Sequence, residues 1–273
     1  MSWAWDDTHG SMIGVFDSGM GGLSVLLEIR RLLPEADLVY LADQDNAPYG
    51  ERTLDKVRRL AEQCTSHLLA VGADIVVVAC NTASAAALHH LRALHPGVPF
   101  VGMEPAIKPA AAVTRGGVIG VLATAATFQG ELFGSLMGRF GGNVQVIAKA
   151  CRGWADLVET AELTGPRAEG LIAEHLDPVL NAGADTLVLG CTHYPFLRSL
   201  ISDRAGPQVA IIDPAPAVAR QVEVIQDGRS GTVQTGRLEV QTTANPSYAR
   251  RLVAGLTGID QTVTPVTWPT TND

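Results

Sequence analysis

Short apolar runs alternate along this chain with longer segments of helical period. The runs at 13–16, 38–42, 74–79 and 100–102 are apolar almost throughout, which predicts strands buried on both faces. Between them lie three predicted helices. The first, 23–33, carries Leu23, Leu26, Leu27 and Leu32 and is stopped by Pro34; the others are 53–71 and the Ala-rich 82–94. The pattern then restarts. Val118-Ile119-Gly120-Val121 matches the opening Ile13-Gly14-Val15-Phe16. A helix over 127–140, a strand over 144–148, a helix over 165–182 and strands over 186–189 and 209–212 follow. The tail before Met12 and the Thr- and Pro-rich stretch after about Ile259 read as loose ends. Strands alternating with helices predict an α/β protein with mostly parallel sheets covered on both faces.

One phrase occurs twice. Gly72-Ala73-Asp74, a strand, then Cys80-Asn81-Thr82 returns as Gly183-Ala184-Asp185, a strand, then Cys191-Thr192-His193. The double start and double ending predict two similar α/β lobes, roughly 1–104 plus 213–273 and 105–212. Pro105 and Asp213-Pro214 would mark the crossings, because a residue before proline is biased out of helix. A single (β/α) barrel fits this twofold repeat less well. In open α/β sheets ligands gather at the carboxyl ends of strands. Cys80, Cys191, Asp17 and Thr124 all follow predicted strands and are expected to line one crevice between the lobes.

Composition narrows the setting. Hydrophobic residues make up 47% and charged residues 18% of 273, and the net charge is −8. That is globular, without the basic cluster of a nucleic-acid footprint. The start has no secretory pattern, and no apolar run approaches the roughly 18 residues of a membrane span. Four cysteines in such a chain are expected to stay reduced.

Two thiols across a cleft can remove a proton from one face of a carbon and return one to the other. Each cysteine precedes a helix or turn start, where free N–H groups favour a thiolate. Cys64 and Cys151 have no such repeat partner and read as packing residues. Asp17-Ser18-Gly19-Met20-Gly21-Gly22 lacks the Lys of a P-loop and the full dinucleotide spacing, so the glycines suit close backbone approach to a small anion. Asp17 can orient a substrate ammonium, assist proton transfer or simply cap. His193 lies two residues past Cys191; with no further Cys/His cluster, an acid–base partner is favoured over a metal ligand. A thiol redox protein would want Cys-x-x-Cys, which is absent. Asp43, Pro48-Tyr49-Gly50 and Glu159 by themselves mean only a loop and a solvated helix face.

Taken in order, the segment 13–25, Pro48-Tyr49-Gly50, Ala79-Cys80-Asn81-Thr82-Ala83-Ser84, Glu104-Pro105 and Gly190-Cys191-Thr192-His193-Tyr194-Pro195 resemble glutamate racemase. The resemblance runs from about Met12 to Ile225. It implies two pseudo-twofold α/β domains, cofactor-independent interconversion of L- and D-glutamate for peptidoglycan, a bacterial cytoplasmic location and a homodimer, with no metal. It implies that Cys80 acts on the α-hydrogen of D-glutamate, assisted by Asp17. Cys191 would act on that of L-glutamate, assisted by His193 with Glu159 nearby. Ser18, Pro48, Tyr49, Gly50, Asn81, Thr82, Thr124 and Thr192 would bind substrate. The chain departs from the family at Ala42-Asp43-Gln44, where Gly-Asp-Thr is frequent, and at Met20, where Val is commoner. A racemase of aspartate or another amino acid with the same two cysteines is the alternative.

Overall fold

In the computed structural model, which describes residues 11–140, 142, 144–227 and 235–268, the chain folds as two parallel sheets wrapped in helices. The order is β1 (Met12–Asp17), α1 (Leu23–Leu32), β2 (Asp37–Ala42), α2 (Leu54–Ala70), β3 (Ile75–Val78), α3 (Asn81–Leu94), β4 (Phe100–Gly102) and α4 (Ile107–Val113). The second run is β5 (Val118–Ala123), α5 (Ala125–Gln129), α6 (Glu131–Phe140), β6 (Gln145–Ala150), α7 (Trp154–Glu159), α8 (Pro166–Asn181), β7 (Thr186–Gly190), α9 (Arg198–Ala205) and β8 (Ala210–Ile212). The chain then returns to the first sheet through α10 (Ala215–Asp227), β9 (Leu238–Thr242), α11 (Pro246–Thr257) and β10 (Val263–Pro265).

The first sheet has the order β10-β9-β2-β1-β3-β4, the second β6-β5-β7-β8. Stripped of β9 and β10, the two orders are the same, and every strand pair among the described residues is parallel. Each sheet is apolar on both faces because helices cover both. Val15, Tyr40 and Val77 pack under α1, α10 and α11, while Phe16, Val76 and Val78 pack under α2 and α3. The second sheet buries Leu187 and Leu189 against Trp154, α8 and Ile201, and Val121 and Val188 against α4 and α6. Among the described residues no helix is long and apolar enough to cross a membrane.

Two expectations need correction. The helix expected over 127–140 is two helices, α5 and α6, parted at Gly130, whose backbone is extended (φ −72°, ψ 146°). A Cβ there would press on Ala85 of α3, so the chain breaks where it must approach that helix. The stretch after Ile259 is not loose. β10 adds an edge strand to β9, Val263 is buried, and the Trp268 ring stacks edge-on against His67 at 5.5 Å. The open edge of β9 supplies the ladder that the polar Thr-Pro composition hides. Of the expected N-terminal tail, residues 1–10 lie outside the described residues, and Ser11 is buried, its hydroxyl donating to Asp74.

Candidate active site

The two sheets turn their carboxyl ends toward one cavity of about 290 Å³. Cys80 and Cys191 both line it. So do Ser18, Pro48, Tyr49, Gly50, Asn81, Thr82, Thr124, Thr192, His193 and Glu159, gathered from stretches far apart in sequence. The size is near the lower end of ordinary ligand pockets, roughly 300 Å³, and suits an amino acid better than a nucleotide. A larger cavity of about 510 Å³ adjoins it, sharing Pro48, Gly50, Thr124, Ala155 and Asp156, but holds neither Cys80 nor Cys191; it takes in Cys151 instead. Cys64 and Cys151 are buried, and all four cysteines are free.

Cys80 follows β3 and caps α3: its Sγ accepts from Ala83 N–H at 3.5 Å. The helix N-terminus favours a thiolate, yet it does not prevail. Burial pushes the Cys80 thiol well above its usual range, and the neighbouring Asp17 carboxylate pushes the same way. The expectation of a thiolate there is therefore reversed, and Cys80 rests as a neutral thiol. Asp17, the last residue of β1, is fully buried and forms no part of the cavity wall. Oδ1 accepts from Ser18 N–H at 2.7 Å; Oδ2 accepts from Gly22 N–H at 2.5 Å and Thr192 Oγ1 at 3.1 Å. Burial raises its pKa, against the pull of His193. From this position, with its oxygens held by Ser18, Gly22 and Thr192, Asp17 braces the glycine loop beside Cys80.

Cys191 follows β7, the strand equivalent to β3. Its Sγ lies 3.7 Å from His193 Nδ1, and His193 Nε2 lies 2.8 Å from Glu159 Oε1. Burial alone would lower the His193 pKa, but hydrogen bonds to Cys191 and Glu159 hold it well above the usual value. Burial alone would raise Glu159; His193, Met20 N–H and Gln44 together bring it below the usual carboxylate range. The pair is thus an imidazolium and a carboxylate. An imidazolium beside a sulfur stabilises a thiolate.

The glycine loop has a sharper purpose than anion approach. A Cβ on Gly19 would collide with the Glu159 carboxylate, and one on Gly21 with the His193 ring. Met20 N–H donates to Glu159 Oε1 at 2.6 Å. The loop of the first sheet therefore grips the acid–base pair of the second. Across the cavity, Thr82 Oγ1 and Thr124 Oγ1 pair at 2.9 Å. Asn81 is buried, and both its side-chain oxygen and nitrogen lack a protein partner. A buried amide with a free donor and a free acceptor at a cavity wall is suited to a carboxylate and an ammonium. Among the described residues no Lys or Arg lines this cavity; the donors on its wall are His193, Asn81 and N–H groups at the starts of α3 and α5. Among the described residues no group of three His, Cys, Asp or Glu side chains is arranged to hold a metal.

Sequence reasoning passed over Gln44 as a site residue, and also Ala47, Ala155, Asp156, Ala244 and Tyr248, all of which line the cavity. Tyr248 sits in the first turn of α11, and its hydroxyl donates to Glu159 O at 2.6 Å. The only signal available was the unusual Gln44; Tyr248 comes from a return segment with no motif.

Two cysteines at equivalent strand ends of two repeated parallel sheets share one cavity, and the two-sheet α/β fold is that of the amino-acid racemase class. The profile of the Asp/Glu/Hydantoin racemase family matches residues 13–222. A glutamate racemase of Herpetosiphon aurantiacus is 48% identical over 243 residues, covering 88% of this chain and 95% of that protein. One of Pseudomonas entomophila is 51% identical over 211 residues, covering 77% and 80%. The solved structure of a glutamate racemase isoform from Bacillus anthracis superposes with a TM-score of 0.86 at 31% identity, covering 96% of this chain and 99% of that one. That of Escherichia coli, in complex with L-glutamate and the activator UDP-MurNAc-ala, gives 0.83 at 30% identity, covering 94% and 97%. The chain belongs to the Asp/Glu/hydantoin racemase family, in the company of its glutamate racemases, and is an isomerase.

Proposed function

We propose that this enzyme interconverts L- and D-glutamate by proton transfer between Cys80 and Cys191, without cofactor. The observation that carries the reading is the placement of both thiols on one small cavity, each after the equivalent strand of its sheet. A turn on L-glutamate must start with Cys191 as thiolate, which an imidazolium at 3.7 Å would stabilise, and Cys80 as thiol, the form its burial beside Asp17 favours. In that state Cys191 takes the α-proton of L-glutamate and Cys80 gives its proton to the opposite face, leaving Cys191 as thiol and Cys80 as thiolate. D-Glutamate runs the same steps backwards. To reset the enzyme Cys191 must lose one proton and Cys80 gain one: His193 first releases a proton through Glu159 to solvent and then takes that of Cys191, while Asp17 in its acid form gives its proton to Cys80 and regains one from solvent. An amino-acid Cα–H is a very weak acid, so fixed donors at Ser18, Asn81, Thr82, Thr124 and Thr192 must hold the substrate carboxylates and the developing charge, with Pro48-Tyr49-Gly50 closing the other wall.

The lobes 1–104 plus 213–273 and 105–212 would form the two walls. Supply of D-glutamate for peptidoglycan, a cytoplasmic location and a homodimer are part of the same reading, carried by the family resemblance; sedimentation of the purified protein tests the dimer. The direct test is circular dichroism of the purified protein with L-glutamate and nothing else added. The signal should decay to zero, and should do so after dialysis against chelator and treatment with carbonyl reagents. L-Aspartate should not racemise at a comparable rate. A stable L-glutamate signal, or decay only with added metal or pyridoxal phosphate, would remove the reading.

A further inference from the structure

Gln44 stands where the family resemblance leads one to expect threonine, and it occupies a junction. It lies in a short 3-10 turn (Gln44–Asn46) after β2, on the first sheet's side of the cavity. Its Nε2 donates to Glu159 Oε2 at 2.9 Å, across the cleft. Its Oε1 accepts from Thr242 Oγ1 at 2.8 Å, and Thr242 Oγ1 accepts from Ala244 N–H at 3.2 Å. The orientation of the amide is thereby settled. Ala244 N–H uses Thr242 as acceptor, Thr242 passes its hydroxyl hydrogen to Gln44, and the amide must offer its NH₂ to a carboxylate, which accepts only. A polarised chain runs from the backbone after β9, through Thr242 and Gln44, to Glu159, His193 and the Cys191 sulfur. Threonine is too short to span both contacts.

We propose that Gln44 is a positioning residue that fixes Glu159, and through it His193, for the Cys191 half of the reaction only. The proposal rests on the two-thiol reading above. The other titratable groups around the Glu159–His193 pair are Cys191, Asp17, Cys80, Tyr40 and Tyr248, whose hydroxyl donates to Glu159 O, with Asp156 on the cavity wall. The Gln44 amide bonds Glu159 and Thr242, so removing it acts on Glu159 first. Met20 N–H and His193 still hold Oε1, whereas Oε2 loses its donor.

The test uses Gln44→Met, which keeps the side-chain length and removes both hydrogen bonds. With the full-length enzyme, kcat should fall about tenfold, the cost of one charge-assisted hydrogen bond. The primary isotope effect should grow with α-deuterated L-glutamate, whose deuteron goes to Cys191, and stay unchanged with α-deuterated D-glutamate, whose deuteron goes to Cys80. The acid limb of the pH profile should move to higher pH, because Glu159 loses a donor that favours its charged form. Thr242→Val should give the same pattern at smaller size, and decides the matter if Gln44→Met does not fold. Isotope effects that grow equally for both enantiomers, or a variant with wild-type rate and profile, would overturn the proposal. Absence of racemisation in the wild-type enzyme would instead remove the two-thiol reading itself.

Discussion

The two sheets place Cys80 and Cys191 at equivalent strand ends but surround them with unlike groups. The groups that touch Cys80 come from its own half of the fold, the start of α3 and the buried Asp17 at the end of β1, with Thr192 of the other half donating to Asp17. In the second sheet the residue matching Asp17 is Ala123, at the end of β5, and it carries no charge. Cys191 is served instead by His193 and by Glu159 at the end of α7, and these are clamped by Gly19, Met20, Gly21 and Gln44 from the opposite lobe. The backbone repeat supplies symmetry, which a reaction on two mirror-image faces requires. The side chains break it. Cys80 lies beside a buried carboxylate and Cys191 beside a histidine–carboxylate pair, so the two ends of the cavity offer different acid–base surroundings.

Removing either thiol breaks the comparison most completely. Cys80→Ala and Cys191→Ala should each reduce racemisation by roughly 10⁴-fold or to background, since each face needs its own acid or base. Serine variants separate the halves. In heavy water Cys80→Ser should retain α-hydrogen exchange mainly on L-glutamate and Cys191→Ser mainly on D-glutamate. Near-normal racemisation in both would make the cysteines structural.

Smaller losses are expected from the assisting groups, with opposite signatures. His193→Asn and Asp17→Asn should each lower kcat by roughly 10²-fold. The isotope effect should then grow for α-deuterated L-glutamate in the first and for α-deuterated D-glutamate in the second. Identical isotope patterns would mean that the two half-sites are not chemically distinct.

The same asymmetry has a pH signature in stability. His193 has a raised folded pKa, so its contribution is complete below its unfolded value of roughly 6.5 and is lost as pH rises through the folded value. Glu159 has a lowered folded pKa; its contribution is present above roughly 4.3 and is lost as pH falls through the folded value. Asp17 is raised, so its carboxylate form weakens the fold as pH climbs from roughly 3.9 through its folded value. Melting temperatures from pH 6 upward should therefore decline less in His193→Asn than in wild type. A decline of equal slope in both would place the alkaline sensitivity elsewhere.

The mildest perturbation probes the clamp from outside. Asn245 caps α11, its Oδ1 accepting from Ser247 and Tyr248 N–H groups at 3.0 and 3.1 Å. Asn245→Ala should cost about 1 kcal/mol, a fall of about 2–4 °C in Tm, with activity changed less than about twofold. A large activity loss without a Tm change would give Tyr248 a direct part in the reaction.

The sequence by itself determined the repeat, the sheets and the two thiols. These are local properties: an apolar run buried on both faces, a turn at Gly-Ala-Asp, a cysteine at the carboxyl end of the strand that follows. They are written consecutively, so they can be read consecutively. The tertiary structure decided what each thiol feels. Asp17 reads in sequence as a carboxylate at a strand end that could cap, orient a ligand or move a proton, and the fold buries it under Thr192 and the loop it braces. Glu159 looks like a solvated helix face until the glycine loop of the other lobe closes on it. Gln44, Tyr248 and the edge strand β10 carry no periodic signal, because their partners lie on segments more distant than any turn or helix can specify. Burial and charge pairing depend on which surfaces meet, and only the packed lobes bring those surfaces together.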